Sequence, residues 1–79
     1  MIYIKVSDDV VKKRQAIISN IVEIRLEKGL SQTQLAKLTG MHRSIICRIE
    51  NGRQNISIDT LIRVFDALGK DISIELIYK

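Results

Sequence analysis

The stretch that decides the fold is Leu30–Gly52, LSQTQLAKLTGMHRSIICRIENG. Ser31 lies three residues before Gln34, and this S-x-x-Q spacing is the pattern of a capping box, which marks the first turn of a helix. Leu35, Ala36 and Leu38 are the apolar residues between this box and Gly40, a residue type that adopts a positive φ without strain and commonly ends helices. The sequence therefore predicts a short helix that is capped by Ser31 and ends at Thr39-Gly40.

A second short helix follows this turn. It begins at Met41 or His42 and ends at Asn51-Gly52, because Asn and Gly are typical of a helix C-terminus. Two short helices joined by a tight turn with a glycine form a helix-turn-helix. The residues that we expect where the inner faces of the two helices meet are small or apolar: Leu35, Ala36, Ile46 and Ile49.

The residues before this motif predict a strand and a long helix. The β-branched, alternating segment Ile2–Val6 is typical of a short strand. Ser7 and the two acidic residues after it suit the start of a helix, whose positive end favours negative charge. Apolar residues then recur at helical spacing as far as Lys28, and Gly29 marks the end of this helix.

The residues after the motif predict a fourth helix and a second strand. Ser57 caps the helix, Gly69 ends it, and the segment that follows alternates between apolar and polar residues. The chain therefore has the predicted order β-α-α-α-α-β in a single domain. Its predicted parts are an N-terminal strand in residues 1–7, a helical core in 8–69 and a C-terminal dimerisation strand in 71–78 of the 79 residues.

The composition is that of a small globular chain with an excess of positive charge. Of its 79 residues 46% are hydrophobic, and the formal net charge is +4. A chain of this size buries only about 60% of its unfolded surface, so we expect a second copy to add stability. The charge suits a polyanionic partner, while three aromatic residues are too few to stack the bases of single-stranded nucleic acid.

Several kinds of site and protein are disfavoured by the sequence. Cys47 and His42 are its only cysteine and histidine, too few for an internal disulfide or a zinc site, so we expect no metal or other cofactor. No catalytic constellation is recognisable, so we expect no enzyme activity. No apolar stretch approaches the roughly 20 residues that span a bilayer, and the N-terminus does not match a signal peptide. We expect a cytoplasmic protein without a membrane partner.

The helix-turn-helix segment resembles a known family. SQTQLAKLTGMHRSIICRIENGRQ, residues 31–54, is similar to the motif of the lambda-repressor-like XRE/Cro family, and the resemblance covers about residues 22–68. It implies a mainly α-helical, lambda-repressor-like DNA-binding domain of four to five helices, here with short strands at both ends. It also implies a homodimer that reads the major groove of double-stranded DNA.

The resemblance assigns roles to individual residues. The positions that read bases in the family hold His42, Arg43, Ser44 and Arg48. The positions that contact backbone phosphates hold Gln32, Asn51 and Arg53. A buried ion pair between the first and third helices is matched by Arg25 and Glu50, for which the alternative is two separate surface charges. Arginine chemistry supports base reading, because a guanidinium matches guanine O6 and N7 with two parallel hydrogen bonds.

Some residues of the motif have a second interpretation. Arg43 and Arg48 are either base contacts or ordinary solvated charges. His42 is a helix cap that contacts a phosphate, a reader of bases or a pH switch. Cys47 is either an inert small thiol or a redox-sensitive contact, and Ile45 either meets a thymine methyl group or enlarges the core.

The C-terminal residues suggest a biological role. ALGKDISIELIYK, residues 67–79, resembles the tail of HipB-like antitoxins, in which a strand after the last helix pairs with its copy in the other subunit. This implies a transcriptional repressor that is the autoregulating antitoxin of a toxin–antitoxin operon, with a cognate toxin as a further partner. The alternative is a stand-alone regulator of phage or mobile-element type without a toxin.

The C-terminal strand is the expected dimer contact. Its alternating apolar face consists of Ile72, Ile74 and Leu76. An isolated two-stranded ribbon is marginal in water, so we expect this strand to pair with its symmetry mate and Ile2–Val6 to join the same sheet at its margin. A two-fold axis would set two recognition helices about 34–36 Å apart, which predicts a palindromic operator with half-sites about 10 base pairs apart or a multiple.

Overall fold

The computed structural model describes residues 2–5, 10–52 and 55–76. Within them the chain forms four helices and two short strands. Their bounds are β1 Ile2–Lys5, α1 Val10–Glu27, α2 Gln32–Thr39, α3 Arg43–Asn51, α4 Ile58–Ala67 and β2 Ile72–Glu75. The predicted fold class, a mainly α-helical domain with short terminal strands, is confirmed.

The start and the end of α2 are set by local hydrogen bonds. The Gln34 backbone N–H donates to Ser31 Oγ at 3.0 Å, and the Ser31 N–H donates to Gln34 Oε1 at 2.7 Å. The predicted capping box is therefore present. Gly40, with φ 72°, ends α2, and the Met41 N–H donates to the Ala36 carbonyl at 3.0 Å. This short, left-handed turn leads directly into α3.

The other helix ends lie within a residue or two of the predicted positions. Ser57 caps α4, since its Oγ accepts the Thr60 N–H at 3.1 Å. Gly29 and Gly69 both have positive φ just beyond the ends of α1 and α4. The predicted cap at Ser7 and the end of the first strand at residue 6 lie outside the described residues.

The core lies between the four helices. α2 packs against α3 and α4, and α1 packs against α3. The buried apolar residues are Ile18, Ile21, Ile24, Leu35, Ala36, Ile46, Ile49, Val64, Phe65 and Leu68. All four residues predicted for the inner faces of the helix-turn-helix are among them. Burial of this face holds α3 in place and leaves its opposite face to solvent.

The two strands pair with each other within the chain. β1 and β2 are parallel, with the register running from Ile2 opposite Ile72 to Lys5 opposite Glu75. In the described residues β1 is the one strand beside β2. Ile72 packs against the helical core, whereas Ile74 is 51% and Leu76 82% exposed. In the single chain, therefore, only the first residue of the predicted apolar face is covered. Residues 77 and 78, the end of the predicted strand, lie outside the described part of the chain.

Candidate nucleic-acid interface

The outer face of α3 is polar and basic. Arg43, Ser44 and Arg48 are exposed, while Ile46 and Ile49 on the same helix are buried. Neither α2 nor α3 has an acidic residue of its own in its first turn. An exposed helix face with these side chains has the donors needed to contact base edges and phosphates.

His42 occupies the residue before α3. Its backbone has the extended conformation of an N-cap, with φ −70° and ψ 145°, but its side chain makes no capping hydrogen bond. The imidazole is exposed. His42 is thus the N-cap by position, as predicted, but its side chain does not satisfy the first backbone N–H groups of α3.

Ile45 and Cys47 differ in exposure although both lie on α3. The Ile45 side chain is 39% exposed and does not belong to the core cluster. Cys47 is a free thiol of intermediate exposure. Of the two interpretations of Ile45, the geometry therefore favours a side chain available to a partner over one that enlarges the core.

Arg25 and Glu50 join α1 to the last turn of α3. Arg25 Nε donates to Glu50 Oε2 at 2.7 Å, and Arg25 Nη2 donates to Glu50 Oε1 at 2.8 Å. The two side chains are only 11% and 7% exposed. Arg25 Nη1 also donates to the Leu30 carbonyl at 2.9 Å. The guanidinium thus ties three segments together: α1, the loop before α2, and α3.

The hydrogen bonds from Arg25 to Glu50 raise the pKa of the arginine above its ordinary value. Burial acts in the opposite direction, and the direct attraction of the Glu50 charge adds to the rise. Arg25 therefore stays charged over the whole physiological range.

Gln32, a predicted phosphate contact, belongs to the same network. Its Nε2 donates to Glu50 Oε1 at 3.1 Å, so the first residue of α2 is bonded to the last turn of α3. Its side chain is half-buried. The bond to Glu50 holds the Gln32 amide at the N-terminus of α2, where free backbone N–H groups also favour an anion.

Asn51 and Arg53 lie at and beyond the end of α3. Asn51 is the last residue of the helix and is exposed, and Gly52 ends the helix with φ 66°. Position 53, where a phosphate contact is predicted, lies outside the described residues.

Arg14 is a residue of this region that the sequence interpretation missed. Its Nε donates to the Gly52 carbonyl at 3.1 Å, and its Nη1 donates to Asn55 Oδ1 at 3.3 Å. The eleven-residue spacing from Arg25 is close to three helical turns, so both arginines lie on one face of α1. This spacing could have indicated from the sequence that Arg14 lies on the same face of α1 as Arg25. The bond to the Gly52 carbonyl could not be predicted, because a backbone carbonyl has no signature in the sequence.

Two further properties of the described residues bear on function. No three His, Cys, Asp or Glu side chains among them lie close enough to hold a metal ion. None of the helices between residues 10 and 76, as far as they are described, combines the length and apolar character needed to cross a membrane.

The fold and the exposed basic helix agree with a comparison against known families. A family model described as a helix-turn-helix matches residues 21–74. The chain belongs to this helix-turn-helix family. The predicted resemblance to XRE/Cro regulators is confirmed, and the match begins within α1, so that residues 10–20 and β1 precede it.

Individual relatives in the helix-turn-helix family carry regulatory names. A protein described as an uncharacterized HTH-type transcriptional regulator of Haemophilus influenzae is 39% identical over 61 residues, 77% of this chain and 62% of that protein. Control protein C.SmaI of Serratia marcescens is 32% identical over 59 residues, 75% of this chain and 70% of that protein.

A phage protein also matches the helix-turn-helix chain. The immunity repressor protein of Bacillus phage phi105 is 43% identical over 53 residues, 67% of this chain and 37% of that protein. The chain therefore spans less than two thirds of the Haemophilus regulator and little more than a third of the phage repressor.

Proposed function

We propose that this helix-turn-helix chain binds double-stranded DNA sequence-specifically as a homodimer and represses transcription. The observation that carries the proposal is the division of α3 into two faces. Ile46 and Ile49 anchor one face in the core, and Arg43, Ser44 and Arg48 are exposed on the other. A helix held in this way enters the major groove of B-DNA with its free face toward the base edges. Operator DNA as the target agrees with the expected cytoplasmic location.

Base reading is assigned to α3. Arg43 and Arg48 donate paired hydrogen bonds to guanine, and Ser44 contacts a base or a phosphate. Ile45, with its side chain 39% exposed, contacts a thymine methyl group. His42 begins the helix and has an exposed side chain without a capping bond, which leaves the imidazole available to a base or a phosphate.

Phosphate contacts flank this helix on both sides. Gln32 lies at the start of α2, Asn51 at the end of α3, and Arg53 follows two residues later. Such contacts set the orientation of the protein on the duplex and carry no sequence information directly. The bond from Gln32 to Glu50 supports its role, because a side chain held before binding loses less entropy on contact with a phosphate.

The test begins by selecting duplexes from a random library with the wild-type chain. Affinity for the selected operator is then measured by fluorescence anisotropy at one fixed salt concentration. We expect Arg43→Ala and Arg48→Ala each to cost about 1–3 kcal/mol, roughly 5- to 150-fold, and to relax the base preference. Arg63→Ala is the matched control, because it removes the same charge from an exposed position on α4. Equal losses for Arg43→Ala and Arg63→Ala would exclude base reading by Arg43.

Phosphate contacts make a different prediction in the same assay. Gln32→Ala and Arg53→Ala should weaken binding to all duplexes by a similar factor. Arg53→Ala should also make the dependence of log K on log[salt] shallower by about one, because one fewer phosphate is neutralised. If one of these substitutions instead changes the DNA sequence that the protein prefers, the substituted residue reads a base and does not only contact a phosphate.

The homodimer is proposed to form through β2. Pairing of β2 with its copy gives a four-stranded sheet in which each β1 is an outer strand. Ile74 and Leu76 supply the apolar surface that this interface buries. Leu76, 82% exposed, contributes about 1.5–3 kcal/mol when fully covered, and Ile74, 51% exposed, contributes roughly half as much. Ile72 contributes less, since it already packs against the core of its own chain. The unpaired strand edge would otherwise favour aggregation.

The dimer is tested by light scattering of Ile74→Lys and of Ile62→Lys. The two residues are matched, being 51% and 49% exposed, but Ile62 lies on α4. A charge in the strand should give a monomer with unchanged helix content and low operator affinity, because the two half-sites are no longer bound together. If Ile62→Lys gives the monomer and Ile74→Lys does not, the interface lies on α4.

For the biological role, two versions of the repressor stand. The first is an autoregulating antitoxin, favoured by the resemblance of residues 67–79 to the C-terminal strand of HipB-like antitoxins. The second is a stand-alone regulator, favoured by similarity to a phage immunity repressor. Co-expression with the adjacent gene decides between them: a neighbour that is toxic alone and harmless with this chain supports the antitoxin, and a harmless neighbour excludes it.

A further inference from the structure

The N-terminal half of α1 makes a set of contacts that the roles above do not include. Residues 10–20 precede the segment that matches the family, yet they cover the end of α3. Gly52 is buried, and a Cβ built on it would lie 3.8 Å from Gln15 Cγ and 4.0 Å from Ile18 Cγ1. Side chains of this half of α1 therefore border the space beside Gly52, the residue that ends α3.

Arg14 adds directed bonds to this packing. Its guanidinium bonds the Gly52 carbonyl at 3.1 Å and the Asn55 side chain at 3.3 Å. Its charge also lies at the C-terminal end of α3, where unpaired carbonyls give the helix a partial negative charge. One side chain thus connects α1 with the end of α3 and with the segment that leads to α4.

Arg14 and Arg25 together hold the last turn of α3 at two points. Arg25 binds Glu50 within the helix, and Arg14 binds Gly52 just beyond it. The two arginines are separated by about 16 Å along α1. Two attachments at different residues restrain the end of α3 more than either attachment alone. Asn51, the proposed phosphate contact, lies between the two attached residues.

We propose that Arg14 is a positioning residue for DNA binding: it holds the C-terminal end of the recognition helix at the angle that the operator requires. This inference rests on the proposed function and extends it to a part of the chain outside the family match. Arg14 acts through Gly52 and Asn55 and makes no contact with the DNA itself. Its loss changes the orientation of Asn51 and the fit of α3 in the groove.

The first measurement is made without DNA. Amide hydrogen exchange is followed by NMR in the wild type, Arg14→Gln, Arg14→Lys and Lys13→Gln. The Gly52 N–H donates to the Ile49 carbonyl at 3.0 Å and reports on the end of α3. We expect Arg14→Gln to lower its protection by about fivefold, since bonds from a charged group are lost at a partly exposed site. The amide of Ile24, in the core, serves as the internal reference.

The second measurement is affinity for the selected operator and for a scrambled duplex. Lys13→Gln is the matched control, because it removes the same charge from the neighbouring position of α1. We expect both variants to lower the affinity for the scrambled duplex by the same factor. For the operator, Arg14→Gln should lower the affinity about fivefold more than Lys13→Gln. Arg14→Lys keeps the charge but has only a single ammonium group, so its operator affinity should lie between those of Arg14→Gln and the wild type.

The results separate this inference from the proposed function. Unchanged Gly52 exchange in Arg14→Gln shows that the attachment is absent and overturns the inference. Faster exchange with operator binding equal to that of Lys13→Gln overturns it as well, since Arg14 would then stabilise the fold alone. If the wild-type chain selects no duplex, the proposed function fails and the operator role of Arg14 fails with it, while Gly52 exchange still decides whether the attachment exists.

Discussion

Replacing Arg25 with methionine is the most informative single change in the core of this protein. Methionine matches the aliphatic stem of arginine and ends about where Nε lies, so it removes the charge and leaves the space of the guanidinium head unfilled. The Glu50 carboxylate, 7% exposed, then loses two hydrogen bonds of 2.7 and 2.8 Å and keeps the 3.1 Å bond from Gln32. The Leu30 carbonyl loses its 2.9 Å bond from Arg25 as well.

The expected cost follows from these lost contacts. Removing one partner of a buried ion pair costs about 3–5 kcal/mol, because the remaining charge is left without compensation. The bond from Gln32 favours the lower part of this range. A domain of this size has a total stability of roughly 4–12 kcal/mol. Arg25→Met should therefore remove a large fraction of the free energy of unfolding.

Urea denaturation followed by circular dichroism measures the effect. At a slope of roughly 1 kcal/mol per molar urea, the midpoint should fall by about 3 M, and Glu50→Met should behave similarly. The double variant should be more stable than the sum of the two losses predicts, because no buried charge remains. Arg63→Met, at an exposed position, is the control and should change stability by less than about 0.5 kcal/mol. Additive losses in the double variant, or negligible ones in both single variants, would refute this account of the pair.

Three further changes test the fold in the same urea assay. Ser31→Ala removes the cap of α2 and should cost about 0.5–2 kcal/mol; an unchanged midpoint would mean that the cap does not stabilise α2. Gly40→Ala should cost about 1–2 kcal/mol, and since no atom lies within 4 Å of the added Cβ, the whole loss comes from the positive φ. Phe65→Ala should cost about 3–5 kcal/mol because the ring is fully buried, whereas Ile58→Ala at a 58% exposed position should cost far less; similar losses would contradict the described core.

Much of the helix-turn-helix could be predicted from residues close together in the chain. The capping box joins residues three apart, and the end of α2 at Gly40 depends on the positive φ that glycine itself allows. Both features are therefore encoded by residues close together in the chain. The buried face of α3 follows from the spacing of its apolar residues. The same spacing places Arg43 and Arg48 on the opposite, exposed face of α3. The partners of the Arg25–Glu50 pair are 25 residues apart, so no local pattern indicates that they meet. The pair was expected from family resemblance alone.

Only the tertiary structure decided which distant segments meet. The parallel pairing of β1 with β2 joins residues 70 apart in the chain, and alternation alone predicts a strand without naming its neighbour. Gln32 was expected to face a phosphate, and its bond to Glu50 depends on how α2 crosses α3. Arg14 reaches a backbone carbonyl at Gly52, a group that every residue type carries. The sequence by itself therefore determined the local elements and their buried faces, since those depend on near neighbours. The partners of long side chains and strand edges were decided by the packing of the whole chain.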